Sequence, residues 1–182
     1  MPSSGLDAIE AALKLIIDLN PRSVLDLGCG FGKWGMLCRE YLECYRNQVY
    51  ARAEWKTRID GVEVFKPYLG DHHRAIYDKL YIRNLDNSVS HSWISATRYD
   101  LYLAMDVLEH LNTWKELLCA IPKGKAVIAA VPNGDSPQGP VFKNVYETHV
   151  VTFQTDDLAP YFDNVIEIGR KLLCYSGSNV KR

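Results

Sequence analysis

One apolar run ends in residues that could do chemistry. In Val24-Leu-Asp-Leu-Gly-Cys-Gly-Phe-Gly32 the glycines fall at alternate positions, 28, 30 and 32, and Asp26 stands two residues before the first of them. Glycine lets backbone bend through positive φ and lets a ligand approach where a Cβ would obstruct it. A dinucleotide fingerprint carries its third glycine three places after the second, and here that position is Lys33. No Gly-Lys-Ser/Thr follows the turn, which excludes a phosphate-binding P-loop. A carboxylate so near the bend repels a pyrophosphate and suits a positive charge. The ligand expected here is therefore cationic near the turn rather than polyphosphorylated.

A second group lies in Asp106-Val-Leu-Glu-His110-Leu. Asp106, Glu109 and His110 stand at i, i+3 and i+4, so one helical turn would gather them on a single side. The plain reading makes Asp106 an N-cap answered by Glu109 at N3, or His110 a buried ring bonded to backbone. The functional reading makes His110 a general base, because its unperturbed pKa lies near neutrality. His149 is the second candidate base; otherwise it ties down the irregular segment 132–150. The pair His72-His73 falls on a stretch expected to be an exposed helix, and no role is assigned to it.

These residues need elements to hold them. Leu6, Ile9, Leu13, Ile16 and Ile17 recur at helical spacing, with Ser4 as the cap and Asn20-Pro21 as the stop. Strand-like runs follow at 23–27, 58–64, 79–84, 100–107, 125–131 and 164–170. Helix-like stretches lie between them at 32–46, 67–78, 113–120 and 155–162. Thr113-Trp-Lys-Glu116 has the spelling of a capping box. Such alternation predicts an α/β fold, a doubly wound and mostly parallel sheet in three layers, α/β/α. In these sheets the loops after the strands build the site. Nothing in the chain suggests a linker or an internal repeat, so one domain is expected over 1–182.

Taken together the motifs resemble class I S-adenosylmethionine-dependent methyltransferases, a Rossmann-like family. Asp26-Leu-Gly28-Cys-Gly30-Phe-Gly32 is similar to the family's first motif. Glu63 ends the next strand in Gly-Val-Glu-Val, where the family places an acid for the ribose hydroxyls. The runs 106–111 and 125–134 resemble its fourth and fifth strand exits, and Thr148-His149 with Phe153 and Asp157-Leu158 is similar to the segment before its last helix. The resemblance implies S-adenosylmethionine as cofactor, bound by Asp26, Gly28, Cys29, Gly30, Glu63, Val64, Asn84, Leu85 and Asp106, with Asp86 an alternative acid for the adenine amino group. It implies methyl transfer to a nucleophilic O or N of a small-molecule acceptor, with His110 or His149 as base. Some quinone O-methyltransferases with a similar run hold Mg²⁺ on its acids and His; here Asp106 replaces Glu, and no metal ligand is assigned. The interval from Gly30 to Glu63 exceeds the roughly 20 residues of the dinucleotide analogue, and the excess at 47–57 is expected to cover the pocket. The chain after 170 is short, so the family's final antiparallel strand is expected to be abbreviated or absent.

Composition narrows the partners. Apolar residues make up 47% and charged ones 24%, and net charge is −1, so no basic field invites nucleic acid or anionic lipid. Five scattered cysteines form no metal-ligand spacing and read as reduced thiols. Neither a signal peptide nor a membrane span is legible, and a cytoplasmic protein is expected. The alternative function is a catalytically silent binding module for S-adenosylmethionine or its product, or a partner's subunit; a sheet edge left open by a missing strand would then favour a homodimer. A nicotinamide dehydrogenase is disfavoured by Lys33.

Overall fold

A computed structural model describes residues 5–177. Its helices and strands alternate as α1 (Ile9–Leu19), β1 (Ser23–Leu27), α2 (Lys33–Cys38, continued by π-helical turns at Arg39–Arg46), β2 (Arg58–Glu63), α3 (Asp71–Ile76), β3 (Lys79–Ile82), α4 (Ser88–Ala96), β4 (Leu101–Met105), α5 (Trp114–Ala120), β5 (Ala126–Pro132), α6 (Thr155–Leu158), β6 (Asn164–Ile168) and β7 (Lys171–Ser176). One seven-stranded sheet runs in the order β3-β2-β1-β4-β5-β7-β6. Strands β1 to β5 are parallel, and β7 is antiparallel to both of its neighbours. The doubly wound, three-layer arrangement read from the sequence is the one observed.

Successive side chains of a strand point to opposite faces, and here each face has its own core. Leu101, Leu103 and Met105 of β4 pack with Ile128 and Ala130 of β5 and with α1 and α2. Tyr102 and Ala104 pack with Val127, Ala129 and Val131 against Ile94 of α4 and Leu117 of α5. Strands buried on both faces must be apolar throughout, which is why β4 and β5 read as unbroken runs.

The last strand corrects one expectation. β7 is six residues long and sits inside the sheet, paired with β5 on one side and β6 on the other. Gly169 at φ 58° and Arg170 form a two-residue hairpin loop between β6 and β7, the length and glycine usage that a tight antiparallel return requires. The edge strands are β3 and β6.

Two local readings also change, and a third is untested. Helix α4 lies between β3 and β4, opened by the Asn87 side chain, which accepts from the Ser90 amide at 2.9 Å; its serine-rich sequence hides it. Thr113 precedes α5 without capping it, because its hydroxyl and amide both go to Asp86. Ser4 lies outside the described residues; α1 starts after Ala8 without a side-chain cap and ends at Asn20, in the left-handed region.

Candidate functional site

A cleft of about 890 Å³, its open mouth included, lies at the carboxyl ends of β1, β2 and β4. The strand order reverses between β1 and β4, the place where doubly wound sheets leave a crevice for ligands. Gly28, Cys29 and Gly30 line one wall, Glu63 and Val64 a second, Asn84 and Leu85 a third, and Asp106 and His110 the floor toward β4. Of the sequence-derived cofactor residues, Asp26 alone is absent from the lining.

The glycine turn is shaped by three positive φ values, 69° at Gly28, 52° at Gly30 and 81° at Gly32. A Cβ at Gly28 would stand 2.6 Å from a methyl of Val107, so this position requires glycine for space as well as for conformation. The Cys29 amide donates to the Val62 carbonyl at 2.9 Å, tying the turn to β2. Burial pushes the Cys29 thiol up, so it is a small neutral side chain rather than a thiolate.

Glu63 lies at the tip of β2 with one carboxylate oxygen accepting from the Gly30 amide at 2.9 Å and the other from the Phe65 amide at 2.8 Å. Burial raises its pKa, and these amide donors work against the rise. Each oxygen keeps lone-pair capacity toward the cleft. Asp26 is one layer below. It shares the α1–α2 face of β1 with Val24, is 1% exposed, and accepts from the Tyr77 hydroxyl at 2.6 Å. Burial pushes its carboxyl up to about 7. The expectation that Asp26 touches the ligand gives way to a role beneath the turn, set by the pleat: residue 26 faces away from the side that 25 and 27 share.

Asn84 and Leu85 line the cleft as expected. The Leu85 carbonyl accepts from His91 at 2.8 Å. Asp86, the alternative acid, lines the cleft as well and is also tied into the fold: one oxygen accepts from the amide and hydroxyl of Thr113, both at 2.7 Å, and the other from Asn112 at 2.9 Å. Those donors hold its pKa below the usual carboxylate range against the opposing pull of burial. Trp34 is buried and also lines the cleft, whereas Phe65 packs edge-on against Tyr68 outside it.

The 106–111 run does not form the expected α-turn. Asp106 has φ 58°, and Leu108–His110 make a single 3₁₀ turn. Asp106 pairs with Lys171 of β7, so it neither caps a helix nor joins Glu109 and His110. His149 takes its place. One donor atom each from Glu109, His110 and His149 lie within 4.8 Å of one another, and the two imidazole rings meet edge to face at 4.8 Å. The Nδ1 atoms of His110 and His149 face the carbonyls of Thr148 and Ser136. A carbonyl can only accept, so each Nδ1 carries the proton and each Nε2 keeps its lone pair. Burial lowers both pKa values, leaving neutral rings. Glu109 is 1% exposed, its Oε2 has no hydrogen-bond partner among the described residues, and burial with the nearby Asp106 charge pushes its carboxyl up to about 8. One carboxylate with two imidazoles is a donor set for a divalent transition ion, less suited to Mg²⁺, which prefers oxygen. A second cleft shares Lys33, Asp106 and His110 with the first and extends to Glu109 and His149.

Two sequence expectations fail by location. Segment 47–57 precedes β2 and so lies at the amino ends of the strands, away from the cleft. Glu43 accepts from the amides of Lys56 and Thr57, and the Arg52 guanidinium donates to carbonyls at Arg74, Ala75 and Tyr77. His73, expected on an exposed helix, is fully buried under the glycine turn. Sequence reasoning also missed Tyr77, Lys171, and Asn144, Tyr146 and Glu147 of the long loop, which line the cleft.

No protein-family model and no curated sequence matches the chain. Solved structures do. An O-methyltransferase family protein from Burkholderia thailandensis superposes with a TM-score of 0.63 at 12% identity, over 95% of this chain and 57% of that one. The methyltransferase domain of bacterial CtHen1 gives 0.56 at 16%, over 93% and 96%. The 1,6-didemethyltoxoflavin-N1-methyltransferase of Burkholderia thailandensis, solved with that compound and S-adenosylhomocysteine bound, gives 0.57 at 16%, over 94% and 80%. At these identities the likeness is one of fold. The chain spans little more than half the length of the first of these proteins. Among the described residues, no helix is long and apolar enough to cross a membrane.

Proposed function

We propose that this protein is an S-adenosylmethionine-dependent methyltransferase that methylates an O or N nucleophile of a small molecule. The observation that carries the reading is Glu63, a carboxylate fixed through both oxygens at the wall of a cleft whose adjoining wall is the glycine turn at Gly28, Cys29 and Gly30. Its remaining lone pairs suit two adjacent hydroxyls, as on a ribose. Asn84 and Leu85 supply the third wall, where an adenine would lie.

Bound S-adenosylmethionine supplies a methyl group on a cationic sulfur. The protein aligns that methyl with an acceptor in the adjoining cleft and keeps water away. Nε2 of His110 or His149 would take the proton that an O or N acceptor must lose as it is methylated. Both rings are neutral and present that atom unprotonated.

A second reading follows from the unpartnered Oε2 of Glu109. Glu109, His110 and His149 would hold a divalent ion, which would polarise the acceptor's oxygen. Turnover abolished by a chelator and restored by a divalent metal favours the ion; turnover indifferent to chelation favours the bare histidines.

The deciding experiment pairs calorimetric titration with S-adenosylhomocysteine and tritiated methyl transfer to a panel of phenols, amines and hydroxy acids. Binding with turnover supports the enzyme. Binding without turnover across the panel supports the silent module, and no binding removes the reading.

A further inference from the structure

We propose that His73 is a positioning residue for the cofactor turn, holding the backbone of Gly30 from its carbonyl side so that its amide meets Glu63. This rests on the methyltransferase reading for its functional consequence, though not for its structural part. His73 is fully buried and outside the cleft lining. Its Nδ1 accepts from the Gly70 amide at 3.1 Å, and its Nε2 lies 2.8 Å from the Gly30 carbonyl. An amide can only donate and a carbonyl can only accept, so the ring is the neutral tautomer with the proton on Nε2. Burial and the adjacent His72 ring lower its pKa, in keeping with that state.

Gly30 is therefore held at both ends, its amide by Glu63 and its carbonyl by His73. Both anchors matter because a glycine at φ 52° has no side chain to restrict it. Without the Nε2–H donor the Gly30–Phe31 peptide loses the anchor on its carbonyl, and rotation about φ and ψ of Gly30 is then free to disturb the preceding peptide, whose N–H Glu63 holds. His73 thus links helix α3 to the ligand-facing backbone, and the ring it packs along, Tyr77, carries the link on to Asp26.

Two isosteric substitutions separate the ring's two bonds. His73→Asn places an oxygen where Nδ1 was, keeping the Gly70 bond and losing the Gly30 bond. His73→Gln places an amide nitrogen where Nε2 was, keeping the Gly30 bond and losing that to Gly70. Amide hydrogen exchange of residues 28–32 in the ligand-free protein and calorimetric affinity for S-adenosylhomocysteine are measured for both variants and wild type. Expected for His73→Asn are faster exchange across the turn and affinity at least tenfold weaker. For His73→Gln, turn exchange and affinity stay within about threefold of wild type, even where its melting temperature is the lower of the two. Unchanged turn exchange in His73→Asn overturns the inference, as does loss of affinity in both variants that simply follows melting temperature. Absence of binding by wild type instead overturns the methyltransferase reading, and the exchange measurement still decides whether His73 holds the turn.

Discussion

At the scale of single residues, two acids near the turn divide the labour. Glu63 faces the cleft with both oxygens anchored, while Asp26 lies beneath with Tyr77. Glu63→Gln would set an amide N–H against a backbone N–H, either that of Gly30 or that of Phe65. Calorimetry should show affinity for S-adenosylhomocysteine falling at least tenfold, the scale of a lost charged hydrogen bond. Asp26 predicts a pH effect instead. Its carboxyl moves from 3.8 to about 7 on burial, so between about pH 4 and 7 the folded chain keeps a proton that the unfolded chain has released. Its contribution to stability is complete below that window and lost as pH rises through it. The melting temperature of wild type minus that of Asp26→Asn should accordingly fall between pH 4.5 and 7.5; a constant difference would show that Asp26 is not buried as a neutral acid. The histidines carry a third expectation. If either is the base, turnover rises with pH until that ring is neutral, and lowered pKa values put this limb below 6.5. His110→Asn and His149→Asn, assayed separately, should identify the base by a loss of about 100-fold or more in kcat in one of them.

At the scale of elements, the turn depends on the helix that follows it. A Cβ at Gly35 in α2 would stand 2.3 Å from the Tyr77 ring. The fourth glycine of this stretch thus makes room for the tyrosine that Asp26 holds. Gly35→Ala should cost about 1–3 kcal/mol, the usual range for overfilling a packed site, read as a lower urea midpoint. It should also disturb the Tyr77–Asp26 pair. Alternating glycines were legible as a turn because positive φ is a local demand. Gly35 was not, because its reason is a ring more than 40 residues later. The same separation hid His73: a His-His pair on a short polar helix looks solvated until α3 is folded beneath residues 28–32.

At the scale of the whole molecule, β7 is the element on which closure depends. Lys171 reaches Asp106 from it, and Leu172, Leu173 and Cys174 enter the cores on both faces. A chain ending at Asp163 would leave the β5 edge unpaired and both cores open. It should lose the cooperative urea transition, followed by near-ultraviolet circular dichroism. A truncated chain that unfolds cooperatively would mean that the first five strands are stable alone. What the sequence determined by itself was whatever depends on near neighbours: six of the seven strands, the glycine bend, and Glu63 at a strand tip. Strand periodicity, turn chemistry and motif order are all written within a few residues. It took the folded chain to pair Asp106 with Lys171, to bring His149 to Glu109 and His110, and to put segment 47–57 at the far end of the sheet. Those outcomes rest on contacts between residues tens of positions apart, fixed by strand order and by which face each side chain takes, and no local pattern carries that information.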